Sequence, residues 1–227
     1  IDTVPHLLCR GFSREETEDA CIELNYLGIH NFLAIRGDET NYIPPRPGHG
    51  TNGVNVYAAE LVDQLMRLKS GKYLENLDEA DPIGMCIGVA GYPEKHVESP
   101  NLKTDIAYLK KKVDGGAEYI VTQMFFDNRA FFNFVKECRA AGITVPIIPG
   151  LKILNSPKQT TSLPKNFHIS IPDALVDEIA SNDKHTKDIG VNWAIKQCEE
   201  LLNGGVPCIH FYVMNGADSV INVIKKL

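Results

Sequence analysis

No CxxC pair occurs among the six cysteines, Cys9, Cys21, Cys86, Cys138, Cys198 and Cys208. Their scatter argues against a zinc site and a disulfide framework, so reduced, mostly buried thiols of a cytoplasmic protein are expected. No uninterrupted apolar run approaches the ~18 residues of a membrane-spanning helix, and the opening residues do not read as a secretory leader. Positive charge is in deficit: 23 Lys and Arg against 29 Asp and Glu give a formal net charge of −6. That balance argues against a partner recognised through a nucleic-acid backbone. Low-complexity tracts are also missing. What remains is an ordinary globular composition, 44% hydrophobic and 23% charged over 227 residues, which predicts a single domain over 1–227 with one sizeable core.

The densest signal is Gly115 to Asp127, GGAEYIVTQMFFD. A glycine pair able to end a helix precedes an apolar run that favours an extended chain, and the run then breaks into polar residues. Gln123 sits near the carboxyl end of that strand, where an unpaired amide would cost about 1–3 kcal/mol. Backbone or the next strand could satisfy it, and so could a ligand.

Around this stretch the pattern alternates. Val4 to Cys9 is a strand, and Ser13 caps a helix that Gly28 closes, with Glu16 completing the cap. Asn31 to Arg36 is the next strand, followed by Gly37, Asp38 and a long Pro- and Gly-rich loop of a kind that is usually functional or disordered. Val56 to Leu68 has helical spacing. Strand Ile83 to Ala90 leads to Tyr92 and His96, and a helix over Thr104 to Val113 ends in Lys110, Lys111 and Lys112. Helix Asn128 to Ala141, strand Val145 to Pro149, a region broken by Pro157, Pro164 and Pro172, helix Val191 to Leu202, strand Cys208 to Val213 and a last helix from Ala217 complete the chain. Six strand and helix units predict an α/β fold with parallel strands. Polar residues recur just after strand after strand: His6, Arg36 to Asp38, Tyr92 to His96, Gln123, Lys152 and Tyr212. No GxGxxG occurs, so a (β/α)8 TIM barrel, here represented by about six units, is favoured over a doubly wound sheet. A full barrel of this spacing would need eight strands and about 300 residues. With Ile1 in first place, the expectation is a barrel lacking its first two units.

Taken in order, the motifs resemble the methylenetetrahydrofolate reductase family. PHLLC at Pro5 to Cys9, AIRGD at Ala34 to Asp38, VYAAELV at Val56 to Val62 and AGYPEKH at Ala90 to His96 carry the likeness. LKKKVDGGAEYIVTQMFFD at Leu109 to Asp127, IIPGLKIL at Ile147 to Leu154 and HFYVMN at His210 to Asn215 extend it over the chain. Any one motif is weak; seven in register are specific. Bacterial members usually carry an arginine at the position of Gly216, an aromatic at Leu163 and often an asparagine at Tyr108.

The resemblance implies a flavin-dependent oxidoreductase of one-carbon metabolism and methionine biosynthesis. It would reduce 5,10-methylenetetrahydrofolate to 5-methyltetrahydrofolate by two hydride transfers through FAD, with NAD(P)H as donor. FAD would be lined by His6, Arg36, Gly37, Asp38, Tyr57, Ala58, Tyr92, His96, Asp105, Lys111 and Lys112, and no metal is implied. Gln123, Gln159 and Tyr212 would contact folate or nicotinamide, with Asp38 and Gln123 closest to the chemistry. Judged without the resemblance, the lysine run reads as a solvated helix end, His6 as a satisfied core histidine and Asp38 as a turn residue. A homo-oligomer is expected, and a fragment without strands one and two is expected to lack turnover. Two rivals stand beside this reading: a Schiff-base lyase using Lys152, and a non-catalytic flavin- or folate-binding fragment.

Overall fold

The computed structural model describes residues 2–37, 53–77, 79–214 and 216–227. Six strands, β1 (His6–Leu8), β2 (Asn31–Ile35), β3 (Cys86–Gly91), β4 (Tyr119–Met124), β5 (Ile147–Leu151) and β6 (His210–Phe211), form one sheet in sequential order. β1 with β2, β2 with β3 and β5 with β6 pair in parallel. Sequential order is that of a (β/α)8 barrel; a doubly wound sheet would reverse direction along its order. The helices are α1 (Arg14–Tyr26), α2 (Ala58–Lys69), α3 (Leu102–Asp114), α4 (Asn128–Ala140), α5 (Gln159–Phe167), α6 (Asp173–Ser181), α7 (Thr186–Asn203) and α8 (Asp218–Ile224). None among the described residues is long and apolar enough to cross a membrane. The chain divides into two compact units, 1–90 with 108–120 and 91–107 with 121–227.

In the first unit the expected capping box starts α1: the Glu16 N–H donates to Ser13 Oγ at 3.1 Å, and the Ser13 N–H donates to a Glu16 carboxylate oxygen at 2.9 Å. Leu61, Leu65 and Leu68 recur along one face of α2 and are fully buried, as are Phe32, Ala34, Ile87 and Val89 of β2 and β3. Burying each such large side chain contributes about 1.5–3 kcal/mol. The Tyr119 hydroxyl on β4 donates to the Phe32 carbonyl of β2 at 2.8 Å. It passes over Gly88 of β3, where a Cβ would lie 2.1 Å from the tyrosine ring.

The second unit repeats that device with other residues. The Tyr212 hydroxyl, just past β6, donates to the Thr122 carbonyl of β4 at 2.9 Å. Between them lies Gly150 of β5, where a Cβ would meet Thr122 O at 2.2 Å and the Tyr212 ring at 2.7 Å. Asp127 caps α4 by accepting from the Arg129 N–H at 2.9 Å. Met124, Phe126, Leu154, Leu163, Leu175 and Ile179 belong to one buried cluster, against which Trp193 packs.

Several boundaries differ from the sequence reading. β6 is two residues, not six, because only Gly150 with His210 and Leu151 with Phe211 are in register. α7 starts at Thr186 rather than Val191, led in by a 3-10 turn at Asp183–His185 whose Asp183 carbonyl accepts from the Thr186 hydroxyl at 2.6 Å. Pro164 lies inside α5 instead of breaking the chain. The preceding turn is bonded three residues apart, with the Gln159, Thr160 and Thr161 N–H groups donating to Ser156, Pro157 and Lys158. Leu163 is 5% exposed within the apolar cluster, so its side chain is a core element.

Candidate functional site at the strand ends

In the first unit the pairing of β1 with β2 runs past both strands, with the Cys9 and Arg10 N–H groups donating to the Ile35 and Arg36 carbonyls at 3.0 Å. This fixes Arg36 at the carboxyl end of β2. Its guanidinium carbon lies 5.2 Å from the centre of the Tyr57 ring, a cation–π distance worth about 0.5–1 kcal/mol at an exposed site. Tyr57 is the residue before α2 and is 55% exposed; Ala58 is the first helical residue. Gly37 holds φ +87° with the Arg10 Cβ 3.4 Å from where its own would stand, so a side chain there would be strained. Asp38 and the loop after it lie outside the described residues.

His6 corrects the sequence reading, which grouped it with residues following a strand. It opens β1, paired in register with Leu33, and it is exposed. The lysine run also departs from a uniformly solvated helix end. The Lys112 ammonium donates to the Ala90 carbonyl of β3 at 2.7 Å, while Lys111 lies over the Tyr108 ring at 5.4 Å.

In the second unit the segment after β3 is a tightly bonded turn. Tyr92 and His96 meet edge to face with ring centres 4.7 Å apart. The Glu98 N–H donates to His96 Nδ1 at 3.2 Å, which places the proton of the neutral ring on Nε2. Asp105 is buried, and its two oxygens accept from the His96 N–H at 3.1 Å and the Ser99 hydroxyl at 2.9 Å. Its carboxylate therefore holds the turn that carries His96. Lys95 adopts φ +73° there, a conformation unfavourable for a side chain with a Cβ, and its ammonium donates to the Ser99 carbonyl at 3.0 Å. Glu94, placed in this loop by its sequence position but given no site role, accepts from the Ser170 N–H at 2.7 Å; burial pushes its carboxyl above the usual range despite that bond.

Gln123 lies on β4 one residue before its end. Its Oε1 accepts from the Met124 N–H at 3.2 Å, and among the described residues its Nε2 finds no protein acceptor. Both readings of this residue thus hold in part: the backbone takes the oxygen and the amide donors remain.

Beyond β5 and β6 a cavity of about 190 Å³ is lined by Lys152, Asn155, Gln159, Tyr212, Gly216 and Ser219 together with apolar neighbours. Lys152 is 7% exposed, and its ammonium donates to the Tyr212 carbonyl at 2.9 Å. Desolvation holds it below the ordinary lysine range. Burial also pushes the Tyr212 phenol up to about 12. Two of the residues assigned to substrate in the sequence, Gln159 and Tyr212, are brought together here. Asn155 and Ser219 were missed, because nothing local in the sequence marks a hydrogen bond between positions 64 apart.

Strands in sequential order, joined by helices and paired in parallel where β1 meets β2, β2 meets β3 and β5 meets β6, define a barrel-type α/β scaffold. The chain belongs to the methylenetetrahydrofolate reductase family, whose sequence model matches residues 1–227. It is 35% identical to methylenetetrahydrofolate reductase 2 of Saccharomyces cerevisiae, covering 100% of this chain and 36% of that one. To methylenetetrahydrofolate reductase (NADH) 1 of Arabidopsis thaliana it is 34% identical, covering 100% and 38%. To 5,10-methylenetetrahydrofolate reductase of Salmonella typhimurium it is 34% identical, covering 96% and 67%. The chain thus spans little more than a third of the length of the two eukaryotic relatives.

Proposed function

We propose that this chain is part of the catalytic domain of a cytoplasmic oxidoreductase that reduces 5,10-methylenetetrahydrofolate to 5-methyltetrahydrofolate with NADH or NADPH, using FAD. The observation that carries the reading is the family match over all 227 residues. The donor chemistry of the first unit supports the cofactor. In a chain of net charge −6, a guanidinium at Arg36 and ammonium groups at Lys111 and Lys112 suit a pyrophosphate, and exposed Tyr57 offers a flat apolar face. His6, Gly37, Asp38, Ala58, Tyr92 and His96 are the other proposed cofactor residues, with Asp105 acting through the His96 turn. Bound FAD would supply the hydride chemistry that no side chain can. The protein's own part is binding and orientation: Gln123, with its oxygen fixed by the Met124 N–H, would present its amide donors to a ring acceptor of the substrate.

The test uses the natural protein that carries this chain. It should purify yellow and release FAD rather than FMN on denaturation. Its flavin absorbance should bleach with NADH or NADPH and return on adding methylenetetrahydrofolate. A colourless protein that binds no flavin, or a bleached flavin that folate leaves untouched, would overturn the reading. A homo-oligomer is part of the same proposal and is checked by light scattering.

One observation favours the rival lyase: Lys152 is a buried amine with a lowered pKa beside a cavity. Schiff-base formation also needs a proton donor and acceptor. Among the described residues lining that cavity there is no carboxylate or histidine, and the Tyr212 proton is committed to Thr122. Borohydride trapping with a carbonyl substrate is therefore expected to leave Lys152 unmodified.

A further inference from the structure

In the cavity beyond β5 and β6 the side-chain amide oxygens of Gln159 and Asn155 are taken by protein donors, and their N–H groups are left over. Gln159 Oε1 takes the Asn155 and Ser156 N–H groups at 2.6 and 3.2 Å. Two backbone donors on one atom identify that atom as the oxygen, so the Nε2 donors must face elsewhere. Asn155 Oδ1 takes the Ser219 hydroxyl at 2.7 Å, which leaves the Asn155 amide donors at the rim. The Tyr212 carbonyl takes Lys152. Lys152 itself is 7% exposed, and no carboxylate lies among the described residues lining the cavity. Among the described residues this buried ammonium is answered by a carbonyl dipole and no carboxylate, and a charge compensated in that way is stabilised by an incoming anion. The lowered pKa of Lys152, owed to desolvation with no acidic neighbour pulling it back, agrees with that.

We propose that this cavity is a carboxylate receptor, with Lys152 as its cation and Gln159 and Asn155 as flanking donors. One cation and neutral amides suit a singly charged planar group better than a doubly charged phosphate, which calls for several cations. Resting on the folate reading above, the ligand group is a carboxylate of the glutamyl end of the reduced folate. Lys152 then sets preference for substrates that carry that end.

The experiment measures binding to the flavin-loaded protein by calorimetry, with p-aminobenzoyl-glutamate and with its carboxylate-free N-methyl amide as probes. Replacing Lys152 by Met should weaken p-aminobenzoyl-glutamate by about tenfold or more, the scale of one charge-assisted hydrogen bond, and leave the amide unchanged. Lys152→Arg should restore most of the difference. Gln159→Glu keeps the oxygen that accepts the two backbone N–H groups and adds a like charge, so it should weaken the same probe even if Lys152→Met does not fold. Equal affinity of the wild type and these variants for p-aminobenzoyl-glutamate would overturn the proposal. So would equal losses for both probes, or inorganic phosphate displacing the glutamate probe at lower concentration than acetate does. Carboxylate binding that depends on Lys152 in a protein without folate turnover would sink the reductase reading and leave the receptor standing. Turnover with no dependence on Lys152 for the glutamate probe would do the reverse.

Discussion

A methyl group at Gly150 would stand 2.2 Å from the Thr122 carbonyl oxygen, and neither a strand backbone nor a hydrogen-bonded tyrosine moves aside cheaply. Gly150→Ala should therefore destabilise by about 1–3 kcal/mol or more, the range of overpacked cores, read from the denaturant midpoint. Gly84→Ala is the control: nothing lies within 4 Å of its added Cβ, and it should stay within about 0.5 kcal/mol of wild type. At this scale the sequence was only partly legible. Arg36 and Gln123 could be singled out because each interrupts an apolar run. The hydroxyls of Tyr119 and Tyr212 could not, since their acceptors, Phe32 and Thr122, are 87 and 90 positions away. Asp105 could be singled out as polar, but its structural duty toward His96 and Ser99 shows only in three dimensions.

Helices were readable where a cap or an apolar face announces them. Ser13 with Glu16 predicted the start of α1 correctly, and Ser13→Ala should cost about 0.5–2 kcal/mol, measured by urea unfolding. Asp127 at the start of α4 offers a pH-resolved version. The side-chain bonds from Arg129 hold its carboxyl below the ordinary carboxylate range. Its stabilisation is therefore present above the unfolded-state value of ~3.9 and is lost as pH falls through the lowered folded value. Asp127→Ala should cost about 0.5–2 kcal/mol near neutral pH, with the gap to wild type closing toward the acid end; a pH-independent gap would contradict this. Helices α5 and α6 were legible only as a region, because Pro164 and Pro172 read as breaks, while α7 was read as a helix with its start placed at Val191 instead of Thr186. In the structure Pro164 sits inside α5 and Pro172 directly precedes Asp173, the first residue of α6, a place where a fixed φ is tolerated.

For the molecule as a whole, the fold class was the most legible property, because the alternation of strands and helices carries it and no single boundary does. β6 could shrink to two residues without changing the order of the sheet. Cofactor choice is a property of the same scale. FAD at a hundred times its dissociation constant should stabilise the protein by about 2.7 kcal/mol, seen as a rise in melting temperature that FMN at equal concentration fails to match. Equal shifts for the two flavins would argue against a pyrophosphate grip by Arg36 and the α3 lysines. The tyrosines that reach over glycines have a consequence for how this chain can change by descent. Tyr119 with Gly88, and Tyr212 with Gly150, each share one volume between two positions. Neither member can grow while the other stays, so each couple behaves as a single heritable character. Lineages that replace the glycine should be found to have first surrendered the tyrosine ring.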